Sequence, residues 1–266
     1  MNRIDKKFKE LKKQNRPALV VYITAGYPTL PKTKELVFEL EKNGADIIEL
    51  GIPFSDPLAD GPTIQASSQS ALKNHITLKD VISLVRQIRR HSQIPIAFMT
   101  YYNPVYCFGV ERLVKLASGS GVDGIIVPDL PPEEAFHLIR FSRKADFSTI
   151  FLLAPTSVNK RIKLISKAST GFIYYVSLTG VTGARKKLPV DIKSDVARIK
   201  NFTAKPVCVG FGISNPCQAR YIANLSDGVI IGSAVIKVMQ KNLKSAAMVK
   251  KAGNFIRSLS NAIRRS

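Results

Sequence analysis

The residues whose types and spacing best suit catalysis are three acids that follow one short apolar run. Glu49 lies at the end of the predicted strand Ile47–Leu50, and Asp56 and Asp60 stand in the loop that follows. Prolines in the same stretch preset the backbone dihedral φ and stiffen the loop. Folding does not need two acids at a strand end, whereas proton-transfer chemistry often does. We predict that Glu49 and Asp60 do chemistry and that Asp56 is a turn or interface residue.

These acids need a framework, and the rest of the chain predicts one of alternating strands and helices. The predicted strands are Ala18–Thr24, Ile47–Leu50, Ile96–Thr100, Gly124–Val127, Ser148–Leu153, Phe172–Val176, Val207–Gly210 and Gly228–Ile231. The helical patterns between them are Lys34–Asn43, Thr63–Lys73, Leu78–Arg90, Val110–Ser118, Pro132–Lys144, Lys160–Lys167, Asp191–Lys200, Pro216–Leu225 and Ala234–Gln240. Short strands that are apolar on both faces and separated by helices indicate a parallel sheet covered by helices.

Eight such units in 266 residues predict an α/β fold with a single (β/α)8 TIM-barrel domain over residues 1–266. A basic helix precedes the first strand, and Ala247–Arg265 is expected to form a helix that closes the ring. The alternative is an open doubly wound sheet, but no G-x-G-x-x-G turn follows the first strand. Strand alternation predicts that Glu49 and Ile47 point into the barrel while Ile48 and Leu50 face the helices.

Composition narrows the range of partners. The formal net charge is +21, but no recognised nucleic-acid-binding module accompanies it. We interpret the charge as a solvated basic surface and predict no nucleic-acid partner, with a polyanion-binding protein as the alternative. Three cysteines without CxxC spacing and three scattered histidines argue against a disulfide scaffold and a metal site. No run of 18 apolar residues and no secretory signal is present, so we expect no membrane segment.

The last two strand–helix connections have the composition of a phosphate site. Gly210-Phe-Gly212 and Gly232-Ser233 each lead from a strand into a helix. Glycines let the backbone approach a ligand closely, and amide groups at helix N-termini attract dianions. Barrels frequently bind phosphate after their last two strands. The long connection 177–189 carries two glycines and is interpreted as a lid, with a disordered surface insertion as the alternative.

The stretch Glu49–Gln65 resembles the signature of the tryptophan synthase α-chain family, and the resemblance extends over nearly the whole chain. Supporting motifs are Met99–Pro104, Asp123–Glu134, Tyr175–Gly183, Gly210–Ser214 and Gly228–Ala234. The resemblance implies a carbon–carbon lyase of tryptophan biosynthesis that cleaves indole-3-glycerol phosphate into indole and glyceraldehyde 3-phosphate. Two carboxylates in different environments suit this retro-aldol reaction. We expect Glu49 to shuttle protons with a raised pKa and Asp60 to stay ionised and accept a hydrogen bond from the indole N–H.

Further roles are implied by the resemblance alone. Tyr175 is expected to orient Glu49, and Thr182 on the lid to meet Asp60 after closure. Backbone amides of the phosphate site would come from Gly183, Phe211, Gly212, Gly232 and Ser233. The indole and glycerol pocket would be shaped by Tyr22, Ile64, Met99, Tyr101 and Asp129. The chain departs from the family at Tyr22, where Phe is common, and at Tyr27, where Asp is usual and a loop or subunit contact is in doubt.

The resemblance also implies a partner. The chain is expected to bind no metal or cofactor itself and to assemble with a pyridoxal-phosphate-dependent β chain as an α2β2 tetramer, to which it passes indole. The expected location is the cytoplasm, with a plastid stroma as the alternative. A barrel that only activates its partner without cleaving substrate is a second possibility. Loss of Glu49 or Asp60 would favour it, and both are present.

Overall fold

The strands form one closed parallel sheet. The computed structural model describes residues 1–176, 192–210 and 212–264. Within these ranges the strands are β1 (Ala18–Thr24), β2 (Ile47–Gly51), β3 (Ile96–Met99), β4 (Gly124–Ile126), β5 (Ser148–Ile150), β6 (Leu152–Leu153), β7 (Ile173–Val176), β8 (Val207–Gly210) and β9 (Gly228–Ile231). Their order in the sheet is β5-β4-β3-β2-β1-β9-β8-β7-β6. β5 and β6 lie at the two ends of this order, and only Phe151 separates them along the chain. They therefore act as one strand that closes an eight-stranded barrel, which confirms the predicted fold.

Helices surround the barrel at the predicted places. In the described ranges they are α1 (Arg3–Lys13), α2 (Leu30–Lys42), α3 (Pro62–Leu72), α4 (Leu78–Ile88), α5 (Tyr102–Phe108), α6 (Val110–Gly119), α7 (Phe136–Lys144), α8 (Asn159–Ala168), α9 (Ile192–Lys200), α10 (Pro216–Ala223), α11 (Ser233–Lys241) and α12 (Met248–Arg264). Helix α5 was not predicted. It begins where Asp129, from the connection after β4, accepts hydrogen bonds from the Tyr102 N–H at 2.9 and 3.1 Å.

Strand alternation divides the apolar residues into two layers. Ile47 belongs to the cluster inside the barrel, while Ile48 and Leu50 pack in the layer between strands and helices. This is the predicted alternation for β2, so Glu49, two residues after Ile47, points inward. The interior cluster also contains Ile4, Phe8 and Leu11 of α1. The N-terminal helix therefore fills the end of the barrel where the strands begin.

Buried acids hold α1 in this position. Asp123 lies before β4, and its carboxylate accepts hydrogen bonds from Arg3 and Arg89, each at 3.0 Å. At the other end of the helix, Arg16 donates two hydrogen bonds to Asp46, at 2.9 and 2.7 Å. Bidentate hydrogen bonds between a guanidinium group and a carboxylate are directional as well as strong. Both ends of α1 are thus fixed to the start of the sheet.

Candidate active site

Glu49 is the most unusual acid in the described part of the chain. It lies in β2 opposite Tyr22 of β1 and Ala97 of β3. Its exposed fraction is 0%, and neither carboxylate oxygen has a hydrogen-bond partner among the described residues. Burial disfavours the charged form and raises the pKa of Glu49 to about 8. At neutral pH such a carboxyl group holds a proton that it can release and recover, which is what a proton shuttle needs.

Asp60 stands at the same mouth of the barrel in a different setting. It lies in the connection between β2 and α3, and its side chain is buried. Burial raises the pKa of Asp60 to about 6, while the neighbouring Tyr101 hydroxyl lowers it. Tyr101 also accepts a hydrogen bond from the Ala59 N–H at 2.9 Å, which places its hydroxyl beside the acid. Asp60 is therefore mostly ionised at a pH where Glu49 is mostly protonated.

Two tyrosines surround the acids, and a glycine makes room for each. A Cβ atom on Gly51 would lie 2.2 Å from the Tyr22 hydroxyl oxygen, and one on Gly210 would lie 2.7 Å from that of Tyr174. The pKa values of both phenols are raised, chiefly by burial and further by the charges of Glu49 and Asp60. Both rings consequently lie close enough to the two carboxylates to share their electrostatic environment.

The backbone at the predicted phosphate site has the geometry that its glycines suggest. Gly212 has a φ of 72°, a conformation that side chains other than hydrogen disfavour. Gly232 immediately precedes α11, and Ser233 is the first residue of that helix. A Cβ atom on Gly232 would lie 3.5 Å from the Tyr22 Cβ, so this helix N-terminus borders the mouth that contains the acids. Phe211, Gly183 and Thr182, the other predicted phosphate and lid residues, lie outside the described residues.

Comparison with known proteins agrees with this geometry. Residues 8–264 match the family model described as tryptophan synthase alpha chain. The chain belongs to the tryptophan synthase alpha chain family. It is 47% identical over 259 residues to the alpha chain of Caldanaerobacter subterraneus subsp. tengcongensis, covering 97% of this chain and 98% of the relative. It is 50% identical over 241 residues to that of Geotalea daltonii, covering 91% of each chain.

Solved structures place the fold in the same family. The crystal structure of tryptophan synthase subunit alpha from Legionella pneumophila str. Paris superposes with a TM-score of 0.93 at 38% identity, with all of both chains covered. A structure of Mycobacterium tuberculosis tryptophan synthase gives a TM-score of 0.91 at 34% identity over 99% of this chain and 98% of that chain. The chain is accordingly a member of a lyase family of tryptophan biosynthesis with a TIM-barrel fold.

One role that the family resemblance implied does not fit the structure. Tyr175 was expected to orient Glu49, but its hydroxyl donates to Asp195 of α9 at 2.5 Å. Tyr175 and Ile173 share a face of β7, and that face packs against the helices. The neighbouring Tyr174 is the member of β7 that joins the interior cluster. The assignment was wrong because strand alternation puts adjacent residues on opposite faces, so Tyr174 is the site tyrosine that sequence reasoning missed.

The remaining predicted pocket residues divide into two groups. Ile64 and Tyr101 are buried and Met99 is half-buried, all near the ends of β2 and β3 or at the start of α3. Asp129 is exposed, and its carboxylate accepts the Tyr102 N–H that begins α5. Its observed contact is thus that of a helix cap. Tyr27, where the family usually has Asp, is 3% exposed and packs in the helix-facing layer.

Two features of other protein classes, a metal-binding cluster and a membrane-spanning helix, are absent from the described ranges. No group of three or more His, Cys, Asp or Glu side chains is arranged to hold a metal ion there. In the same ranges, no helix combines the length and the apolar character that crossing a membrane requires.

Proposed function

We propose that this chain cleaves indole-3-glycerol phosphate into indole and glyceraldehyde 3-phosphate by a retro-aldol reaction at the mouth of the barrel. The observation that carries the proposal is Glu49, which is fully buried, points inward and has no hydrogen-bond partner among the described residues. Asp60 lies at the same mouth with a lower pKa than Glu49. Family membership supports the reaction, because the relatives that match this chain over nearly its whole length are named tryptophan synthase alpha chain.

Glu49 would move the protons of the reaction. In its neutral form it donates a proton to C3 of the indole ring and becomes a carboxylate. That carboxylate then accepts the proton of the adjacent glycerol hydroxyl group as the carbon–carbon bond breaks and the aldehyde forms. Glu49 ends in its initial protonated state, so one residue serves both steps. A pKa near 8 suits it for both donation and acceptance near neutral pH.

Asp60 would stabilise the positive charge that builds on the indole ring. Protonation at C3 makes the indole N–H strongly acidic, and an ionised carboxylate is the natural acceptor. Of the two acids, Asp60 is the one that is mostly ionised at neutral pH. The walls of the indole and glycerol pocket would be formed by Tyr22, Ile64, Met99 and Tyr101, with Asp129 at its rim. Thr182, on the lid, would contact Asp60 after closure.

The phosphate group would bind at the start of α11 and beside Gly212. Gly232 and Ser233 offer backbone amides at a helix N-terminus, where the helix dipole favours negative charge. Gly183 and Phe211 would complete the site. A Ser233→Asp substitution should weaken binding of glycerol 3-phosphate and leave binding of free indole nearly unchanged. Equal losses for both ligands in equilibrium titrations would count against this placement.

A β chain that uses pyridoxal phosphate is the proposed partner, in an α2β2 assembly. The family name supports a β-chain partner. Four exposed apolar side chains lie on the side of the barrel that holds Glu49: Leu58 and Val158 in strand-to-helix connections, Tyr106 in the short helix α5 after β3, and Phe136 at the start of α7. Apolar side chains collected on one face are typical of an interface. The cytoplasmic location, with a plastid stroma as the alternative, stays a prediction.

The reaction is tested with the purified chain and indole-3-glycerol phosphate, by measuring indole and glyceraldehyde 3-phosphate by mass with and without a β chain. Indole release by the chain alone supports the proposal. No cleavage under either condition would leave a barrel that only binds and activates its partner. For the interface, Leu58→Asp should weaken β-chain binding, whereas Leu243→Asp, after α11 at the opposite end of the barrel, should not. Equal affinities for both variants would contradict the placement of the interface.

A further inference from the structure

A chain of buried hydroxyl groups crosses the mouth of the barrel. The Tyr22 hydroxyl lies 3.3 Å from the Thr24 Oγ1, which lies 2.7 Å from the Ser67 Oγ. Ser67 in turn donates to the backbone carbonyl of Ile64 at 2.8 Å. All three residues are buried, with exposed fractions of 6% for Tyr22, 1% for Thr24 and 0% for Ser67. The hydroxyl groups therefore join the end of β1 to the first turns of α3.

The direction of these hydrogen bonds follows from counting donors. Each hydroxyl group has one hydrogen to donate. Since Ser67 donates to the Ile64 carbonyl, the hydrogen between Thr24 and Ser67 comes from Thr24. The hydrogen between Tyr22 and Thr24 then comes from Tyr22. Each internal oxygen accepts one hydrogen bond and donates one, so the loss of any member leaves a buried group without its partner.

The path of this hydroxyl chain runs beside the catalytic acids. The Tyr22 hydroxyl oxygen lies only 2.2 Å from where a Cβ atom of residue 51 would be, two residues after Glu49, so a glycine at that position leaves the space. At the other end, α3 begins at Pro62, directly after the loop that holds Asp60. Gln65 of the same helix donates to the Asp60 backbone carbonyl at 2.8 Å. A shift of α3 relative to β1 would therefore move Asp60 relative to Glu49.

We propose that Tyr22, Thr24 and Ser67 act together as positioning residues that hold the start of α3, and with it Asp60, at a fixed place relative to β1 and Glu49. Thr24 and Ser67 act through their neighbours and need not touch the substrate. Because Phe is common in the family at position 22, the terminal hydroxyl is a feature of this chain rather than a requirement of the fold. The inference deepens the proposed function, since its readout is the cleavage rate.

Removing a hydroxyl from the middle of the chain should have the largest effect. Thr24→Val keeps the shape of the side chain but removes two hydrogen bonds. The Tyr22 hydroxyl loses the oxygen to which it donates, and the Ser67 Oγ loses the hydroxyl from which it accepts. Small misplacements in an active site can reduce rates by up to about 100-fold, so we expect kcat to fall by about 10-fold. Ser67→Ala should lower kcat by about 5-fold and Tyr22→Phe by about 2-fold. Ser67→Thr, which keeps the hydroxyl, should retain most of the activity.

Ser68 provides a matched control. It is a buried serine next to Ser67 on the same helix and takes no part in this hydroxyl chain. Ser68→Ala should stay within about twofold of the original kcat. If Ser67→Ala and Ser68→Ala lose the same activity, the effect comes from general loosening of α3, and the proposal is wrong.

The pH profile separates positioning from simple destabilisation. If α3 moves outward, Asp60 gains solvent and its pKa falls towards its ordinary value, so the acid limb of kcat/KM should move to lower pH by at least about half a unit in Ser67→Ala. Among the described residues, the other titratable side chains near Asp60 are Glu49, whose pKa of about 8 lies above the acid limb, and Tyr22, Tyr101 and Tyr174, whose pKa values are raised and lie still higher. A lower kcat with an unmoved acid limb would overturn the proposal. So would rates within twofold for both Thr24→Val and Ser67→Ala.

Folding and function are kept apart by two measurements. Thermal melting of each variant shows whether it is folded at the assay temperature, and if Thr24→Val is not, Ser67→Ala decides the outcome. If the unaltered chain fails to cleave indole-3-glycerol phosphate, the proposed function fails. If it cleaves the substrate but the variants behave as the control does, only the positioning role fails.

Discussion

At the end of the barrel where the strands begin, buried carboxylates accept hydrogen bonds from basic side chains and backbone amides. Asp123 accepts from Arg3, Arg89 and the Ile96 N–H, and it is 2% exposed. At the end where the strands finish, Glu49 is 0% exposed and has no hydrogen-bond partner in the described ranges. A buried acid without a partner costs stability, so its presence at one end only marks that end as the place of chemistry.

The contrast is one of protonation as well as pairing. An acid that holds two arginines is useful only as an anion, and its job is to fix α1 across the sheet. Glu49 instead has its pKa raised to about 8 by burial, and so it is available as a proton donor at neutral pH. The acid at one end of the barrel, Asp123, acts as an anion, and the acid at the other end, Glu49, is neutral. This difference distinguishes a structural role from a catalytic one.

The largest expected effect is loss of reaction in Glu49→Gln. Glutamine keeps the shape of the side chain but cannot give or take a proton, so indole release should fall by about 10²- to 10⁴-fold. The measurement is steady-state turnover of indole-3-glycerol phosphate. Glu111→Gln, at an exposed residue in the first turn of α6, is the control and should retain full activity. Turnover within threefold of the original chain would mean that another group moves the proton.

At the other end, Asp123→Asn should remove stability and spare the reaction. The amide cannot balance the positive charges of Arg3 and Arg89, and breaking a buried ion pair costs about 3 to 5 kcal/mol. Urea unfolding gives the loss, and kcat per folded molecule should stay within about twofold. Asp146→Asn is the control, because its carboxylate pairs with the N-terminal amine at 61% exposure and should contribute less than about 1 kcal/mol. A strong fall in kcat for Asp123→Asn would break the comparison.

The position of Glu49 in this contrast could be predicted from the sequence, and the features that could not be predicted have physical causes. Glu49 was placed correctly because period-two alternation in β2 has a clear inside and outside. Strand β7 is different, because aromatic side chains occupy both of its faces and only packing decides that Tyr174 points inward. Helix α5 was missed because its cap comes from Asp129, a residue distant in sequence. Local patterns do not contain such long-range contacts.

The unpartnered acid should also have a cost that depends on pH. Unfolded, Glu49 titrates near its ordinary pKa of 4.5, and folded it titrates near 8. Between these values the unfolded chain releases the proton while the folded chain keeps it, so the stability contributed by the neutral form is lost as pH rises from 4.5 to 8. Glu49→Gln does not titrate and escapes this loss.

Glu49→Gln should therefore match the original chain in stability near pH 4.5 and exceed it by about 4 kcal/mol near pH 8, since folding raises the pKa of Glu49 from 4.5 to about 8 and each pH unit corresponds to about 1.4 kcal/mol. Urea unfolding at several pH values tests this, with Glu111→Gln as the control that should show no such trend. A constant difference across the range would show that Glu49 is not a high-pKa acid. The same variant would thus lose activity and gain stability, the reverse of Asp123→Asn.

The smallest effect concerns Asp60, the second acid at the mouth of the barrel. Asp60 sharpens the comparison because, unlike Glu49, it has a hydrogen-bonding neighbour, the Tyr101 hydroxyl. The Tyr101 hydroxyl lowers the pKa of Asp60, against the burial that raises it to about 6. A group that favours the charged form raises the pKa when it is removed, so Tyr101→Phe should move the acid limb of kcat/KM to higher pH, by less than about one unit. At pH 6 the rate should fall by about threefold, and near pH 7.5 it should change little because Asp60 is then ionised in both proteins. Tyr106→Phe, at a tyrosine that is 70% exposed, is the control and should leave both limbs in place. An acid limb that stays fixed in Tyr101→Phe would show that Asp60 is not the group whose ionisation the reaction needs at low pH.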